Sequence, residues 1–129
     1  MRLSYLALSV VVLAACASVP SDGVASLDQR ATQRWALLVK GDLEGAYGFL
    51  SPATREITSF ERYRSGIKLG MWRGAEVGEV VCSTSEICTV KVNVSYTYKP
   101  KFGSSAHERV LSLPETWKKD GGQWWYVPD

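Results

Sequence analysis

Residues 89–98 read "TVKVNVSYTY", and they alternate without a break. Val90, Val92, Val94, Tyr96 and Tyr98 point one way, and Thr89, Lys91, Asn93, Ser95 and Thr97 the other. A strict period of two predicts a half-buried antiparallel strand. Its neighbours follow from turn chemistry. The preceding run "VVCSTSEICTV" sets two β-branched stretches around a polar turn, so an earlier strand is expected over about Ala75 to Cys82. If Cys82 faces Cys88, then Val80 faces Val90, Gly78 faces Val92 and Glu76 faces Val94. After the loop "KPKFGSSA", a third strand is expected over about His107 to Lys118, with Pro114 marking a bulge or an edge. "KDGG" is the strongest turn signal in the chain and returns it into "QWWYV". With Asp120-Gly121 central, Trp117 lies opposite Trp124 and Thr116 opposite Trp125.

Upstream of Gly70 the period is helical. Ser26-Leu-Asp-Gln29 reads as a capping box opening a helix that runs to about Lys40. Leu27, Ala31, Trp35 and Leu38 form one stripe of it. Gly41 suits the position just past the end. Asp42 then caps a second helix facing Leu43, Ala46, Tyr47 and Leu50 inward, weakened by two glycines, and Pro52 ends it or opens a turn. Thr58-Ser-Phe-Glu61 is another capping box, and Phe60, Tyr63 and Ile67 make the apolar face of a third helix.

The chain begins "MRLSYLALSVVVLAAC", with Arg2 the one charge among the first 21 residues. Its apolar run is too short to span a bilayer, which takes roughly 20 residues, and has the shape of an export signal. Leu13-Ala14-Ala15-Cys16 resembles the bacterial lipobox. That resemblance implies diacylglyceryl transfer to Cys16, cleavage before it and acylation of the new amino group, and two or more chains anchor stably. The alternative is an ordinary signal with a chance cysteine. Ala17, rather than Asp, follows the cysteine. By likeness to Gram-negative lipoproteins this favours the outer membrane, with the domain facing the periplasm.

Removing residues 1–15 leaves 114 residues, enough for one small domain with a core. The expected organisation is a signal over 1–15, a lipidated cysteine and flexible tether over 16–25, and a single domain over 26–129. The whole chain carries 15 basic and 13 acidic side chains with no long basic run. This argues against nucleic acid as a partner. With Cys16 assigned to lipid, Cys82 and Cys88 remain as a pair in an oxidising compartment, where a disulfide is expected. The rival is a metal pair, for which the single His107 offers too little. No metal and no cofactor is expected.

Three helices followed by four antiparallel strands make an α+β domain, N-terminal helices packed on one face of a curved four-stranded sheet. Three passages, "RWALLVKGDLEGAYGFLSP" (34–52), "WRGAEVGEVVC" (72–82) and "ETWKKDGGQWWYVPD" (115–129), resemble the nuclear transport factor 2-like superfamily, whose cone-shaped fold also carries ketosteroid isomerase-like enzymes. The chain as a whole looks like a small bacterial lipoprotein with such a domain. The resemblance implies a pocket between sheet and helices. It does not imply an activity, because the scaffold hosts isomerases, dehydratases, cyclases and non-catalytic binders.

Site chemistry is sparse. The expected register sets Glu76 on the inward face near Tyr96, where an apolar setting would raise its pKa and suit a general base. A one-residue bulge would turn it outward. His107 opens a strand beside a Ser-rich loop, a surface position. Trp72, Tyr96, Tyr98, Trp117, Trp124 and Trp125 are candidates for a pocket lining, an interface or simply the core. Adjacent Trp124 and Trp125 must face opposite sides of the sheet. The expected function is a membrane-anchored binding module for a small apolar ligand or an envelope protein. The rivals are an isomerase- or cyclase-type enzyme using Glu76 with a tyrosine, and a homodimerisation module using the sheet's outer face.

Overall fold

The computed structural model describes residues 24–103 and 105–129. The expected signal, Cys16 and most of the tether lie outside the described residues. The architecture is α+β: α1 (Val24–Lys40), α2 (Leu43–Tyr47), α3 (Pro52–Ile57), α4 (Phe60–Ser65), then β1 (Trp72–Cys82), β2 (Ile87–Tyr98), β3 (His107–Asp120) and β4 (Gln123–Val127). The strands form one antiparallel sheet in the order β1-β2-β3-β4, a meander joined by hairpins.

The apolar stripe of α1 supplies half of the core. Leu27, Ala31, Trp35 and Leu38 are all buried, and they meet Val90, Val92 and Val94 of β2 and Trp117 and Trp124 of the closing hairpin. Val24 and Ala25, expected in the tether, are already helical, so Ser26 lies inside α1 rather than capping it. Gly41 takes a positive φ of 87°, which a side chain would strain, and turns the chain out of α1. Asp42 then accepts from the Gly45 amide as the N-cap of α2.

Pro52 does not simply end that helix. Ser51 accepts from the Thr54 amide and opens α3, with proline at the first turn, where its missing N–H costs nothing. Thr58, the expected cap of the next helix, closes α3 instead, and Ser59 caps α4 by accepting from the Arg62 amide. The cap thus moves by one residue within a Thr-Ser pair.

The sheet departs from the expected register in two places. Cys82 pairs with Cys88 and Val80 with Val90, as expected, but two residues, Gly78 and Glu79, then stand opposite Lys91. Below this bulge Val77 faces Val92, Ala75 faces Val94, and Glu76 faces Asn93. The extra residue moves the side chains from Val77 down to Gly74 to the other face, and a second irregularity between Trp72 and Gly74 turns Trp72 back inward. A side chain at Gly78 would press on the Lys91 carbonyl at 3.3 Å, so glycine suits the crowded bulge. At the other end, Gly121 and Gly122 form the two-residue turn, with φ of 60° and 74°. A type I′ hairpin requires positive φ at both positions. Trp117 therefore faces Tyr126, Lys118 faces Trp125 and Lys119 faces Trp124, two residues from the expected register. Because the shift is even, the inward and outward sets are unchanged.

The short β4 is held from its other edge. The Tyr126 amide donates to the Phe49 carbonyl, and Leu50 forms a parallel bridge with Tyr126. Arg30 of α1 donates from Nε to the Trp124 carbonyl while its guanidinium lies 4.4 Å from the Phe49 ring centre. These contacts join α1, the α2–α3 junction and β4.

Cys82 and Cys88 are joined as a disulfide at the mouth of the first hairpin, six residues apart in sequence. Such a short loop restricts the unfolded chain only modestly, by about 2 kcal/mol. Urea unfolding of the oxidised and reduced chain should differ by about that amount. An unchanged midpoint would show that the bridge adds nothing to the hairpin.

Candidate functional site

A charged pair lies where both apolar faces meet. Arg34 follows Leu27 and Ala31 on the inward side of α1, and Glu115 sits between Leu113 and Trp117 on the inward side of β3. They are 4 % and 6 % exposed. Arg34 Nη1 donates to Glu115 Oε1 at 2.7 Å. The Trp35 indole donates to the same oxygen at 2.8 Å, and the Trp117 indole to Oε2 at 3.3 Å. The Arg34 guanidinium also lies 3.5 Å from the centre of the Tyr126 ring. Three donors and a flat cation over an aromatic face repay much of the cost of burying the charges.

This cluster forms the floor of a cleft of about 380 Å³, walled by Trp35, Leu38, Ile67, Met71, Trp72 and Leu113 among others. Trp35 and Trp72 meet edge to face at 5.4 Å. Against it lies a wider cleft of about 630 Å³, lined by Arg62, Tyr63 and Ile57. The two share Arg34, Gly66, Ile67, Tyr126 and Asp129. Among the described residues, Arg34 Nε is buried without a hydrogen-bond partner. Burial pushes the Tyr63 phenol above its usual value of 10.0, opposed by the positive Arg34 beside it. Burial raises Tyr126 as well, again opposed by Arg34.

The residues singled out in the sequence disperse. Glu76 is exposed on the outer face, turned there by the bulge, so it cannot serve as a base in the cleft. Trp117 and Trp124 are buried core residues rather than an open pocket or interface, because α1 and the α2–α3 junction cover them. Trp72 does line the cleft. Tyr96 is half-buried beside it in register with Trp72, and Tyr98 is exposed at the far end of β2. Trp125 is half-buried at the β4 edge and donates to the Asp120 carbonyl. His107 is exposed at the start of β3. No cluster of metal-ligating side chains occurs among the described residues. Among them, too, no helix is long and apolar enough to cross a membrane.

Arg34, Tyr63, Glu115 and Tyr126 carry the site, and none was singled out from the sequence. The available signal was pairwise. Arg34 falls three residues after Ala31 and four before Leu38, on the buried stripe, and Glu115 falls between two inward residues of β3. One cation and one anion, each on an apolar face, point to an internal pair.

No protein-family model and no curated protein sequence matches the chain. Among solved structures, it is similar to the solution structure of a SEC-C motif containing protein from Rhodopseudomonas palustris, with a TM-score of 0.56 and 15% identity. The match covers 82% of this chain and 78% of that one. At that identity the likeness shows the fold alone. It also corrects the family resemblance read from residues 34–52, 72–82 and 115–129: the structure sharing this arrangement is a SEC-C motif containing protein, which gives no support to a nuclear transport factor 2-like cone. The three passages consist of helix caps, turns and aromatics, which many α+β domains share.

Two outcomes are expected. Arg34→Met leaves a buried carboxylate without its cation and should cost about 3–5 kcal/mol in urea unfolding. Adding Glu115→Gln should restore part of that loss, because it removes the uncompensated charge, although the single amide oxygen can accept from only one of the two indoles. A further loss on the second substitution would refute the pairing. Stability should also fall in alkali. The raised phenols of Tyr63 and Tyr126 contribute stability that is present below the ordinary value of 10.0 and is lost as pH rises through their folded values. Urea midpoints measured from about pH 9 to about pH 11 should decline less steeply in the Tyr63→Phe/Tyr126→Phe variant.

Proposed function

We propose that this chain is a non-catalytic binding module, held at an envelope membrane by lipid on Cys16. It takes a small, largely apolar ligand into the cleft between α1, the segment joining α4 to β1, and β3. The anchor rests on the lipobox-like Leu13-Ala14-Ala15-Cys16. The observation that carries the binding role is the cleft itself: about 380 Å³ walled mainly by apolar side chains, with a few polar groups gathered at its floor. Small-molecule sites have this make-up.

The enzymatic alternative is weakened on two counts. Glu76 faces away from the cleft. Glu115, the acid that does face it, accepts three hydrogen bonds and pairs with Arg34, so its oxygens are engaged in holding the fold. A general base needs a free oxygen within reach of the proton it removes. The homodimer reading loses Trp124, which lies in the core.

One measurement checks both halves of the proposal. The protein is released from its own envelope in mild detergent and weighed intact by native mass spectrometry. A covalent lipid increment that disappears in Cys16→Ala supports the anchor. A small dissociable mass that disappears when Ile67→Trp fills the cleft supports the ligand role. A chain without the covalent increment overturns the anchor, and one without the dissociable mass overturns the ligand role.

A further inference from the structure

We infer that the tip of the β2–β3 hairpin is a membrane contact: Phe102 enters the interface of an anionic lipid surface while Lys99, Lys101 and Arg109 meet the lipid phosphates. The inference adds a second attachment to the anchored module and rests on that reading for the membrane's presence. It owes nothing to the cleft.

The sheet narrows to a ribbon at this end. β1 begins at Trp72, opposite Tyr96, and just beyond it the Thr97 amide reaches the Met71 carbonyl. β2 and β3 run on together to Tyr98 and His107. Residues 107–112 are exposed on both faces of β3. Val110, on the outward face, is 67 % exposed, and Leu111, in register with the inward Val94, is exposed too. Tyr98 is exposed at the end of β2, and Phe102, in the connecting loop, is 94 % exposed. A two-stranded ribbon has little to hold it in water by itself, and this one carries apolar groups on both faces and at its tip.

Charge identifies what covers it. Arg73 Nε donates to Thr97 Oγ1, which brings a cation beside the ribbon. Arg73, Lys99, Lys101 and Arg109 stand there against Glu108, whereas the chain as a whole carries 15 basic and 13 acidic side chains. Among the described residues, Lys99, Lys101 and Arg109 form no ion pair. A second copy related by a twofold axis would bring these cations against their own counterparts. An acidic protein groove matches one face of a strand, but the apolar groups here lie on opposite faces and at the end. A lipid interface accepts such a tip from every side. Aromatic rings settle at headgroup level, and neighbouring lysines and arginines are drawn to anionic lipid.

The tip lies at the end of the sheet opposite the anchor. α1 runs from Arg30, bonded to the Trp124 carbonyl, to Trp35, packed on Trp72. The chain therefore enters beside the β3–β4 turn. Lipid on Cys16 and the hairpin tip hold the domain at its two ends, with the length of the sheet along the surface.

The test uses the full lipidated chain in vesicles of phosphatidylcholine alone or mixed with phosphatidylglycerol. Sedimentation with the neutral vesicles reports the anchor. The rate at which trypsin cuts after Lys101 reports the tip, since Pro100 shields the bond after Lys99. Cleavage is expected to be about tenfold or more slower on the anionic vesicles, with the difference shrinking as salt is raised. Lys99→Ser/Phe102→Ser, at two exposed positions, should abolish most of that protection. Equal cleavage on both vesicles, or protection undiminished in the double variant, overturns the inference and leaves the anchor standing. A chain that sediments with the anionic vesicles alone, and is protected there, keeps the tip contact and overturns the anchor.

Discussion

The structure depends on one buried ion pair. Arg34 on α1 and Glu115 on β3 are separated by 81 residues in sequence and joined at 2.7 Å. Neither charge could leave water alone, because an unpaired charge in such surroundings costs several kcal/mol. Trp35 and Trp117 finish the carboxylate's hydrogen bonds, and Tyr126 stacks on the guanidinium. The five residues come from α1, β3 and β4, so the pair fixes how the helix lies across the sheet. An all-apolar junction would tolerate small slides of α1. A pair with two indole donors does not, since any slide breaks a directional bond. The same requirement places a polar floor under an apolar cleft.

The bulge at Gly78-Glu79 is the second constraint. An extra residue opposite Lys91 exchanges the two faces of β1 below it. It brings Ala75 and Val77 inward against α1 and sends Glu76 outward. Without it, a carboxylate would lie against the buried Val94 with nothing to receive its charge. The floor of the cleft thus holds Glu115 without a second carboxylate from β1.

Local patterns carried much of this fold. The alternation of residues 89–98, the stripe Leu27, Ala31, Trp35 and Leu38, and the caps at Gly41 and Asp42 can be read directly, because each reflects a period or a turn within a few residues. Boundaries were less legible where two residues offer the same chemistry. Thr58 and Ser59 both cap helices, and the structure uses Ser59 for α4. Asp120-Gly121 and Gly121-Gly122 both turn chains, and the second pair wins because both of its positions need positive φ. The helix behind Ser51-Pro52 is hard to read locally, because a proline that ends one helix or opens a turn has the same signature as one at the first turn of the next. The site was illegible for a different reason. Arg34, Tyr63, Glu115 and Tyr126 become a constellation only once α1, α4 and the β3–β4 hairpin are packed, and only Glu115 and Tyr126 share one stretch of sequence. Glu76 drew attention because the register placed it inward, and that placement depended on a bulge with no strong local signature beyond one glycine.

The length of β4 explains why a cleft exists at all. β4 pairs with β3 only from Thr116 to Asp120, although β3 continues back to His107. Pro114 lies in the stretch that β4 leaves uncovered, opposite Lys91 of β2. Proline has no amide to offer a further strand, so a longer β4 would gain little from pairing there. Beyond Val127, Pro128 and Asp129 line the wider cleft. Leu113, Pro114 and Glu115 line the smaller cleft, at a stretch of β3 that β4 does not pair with. An edge proline commonly serves to prevent unwanted strand pairing. Here that function and the opening of the cleft are met by the same residue, since both require the edge of β3 to stay unpaired at Pro114.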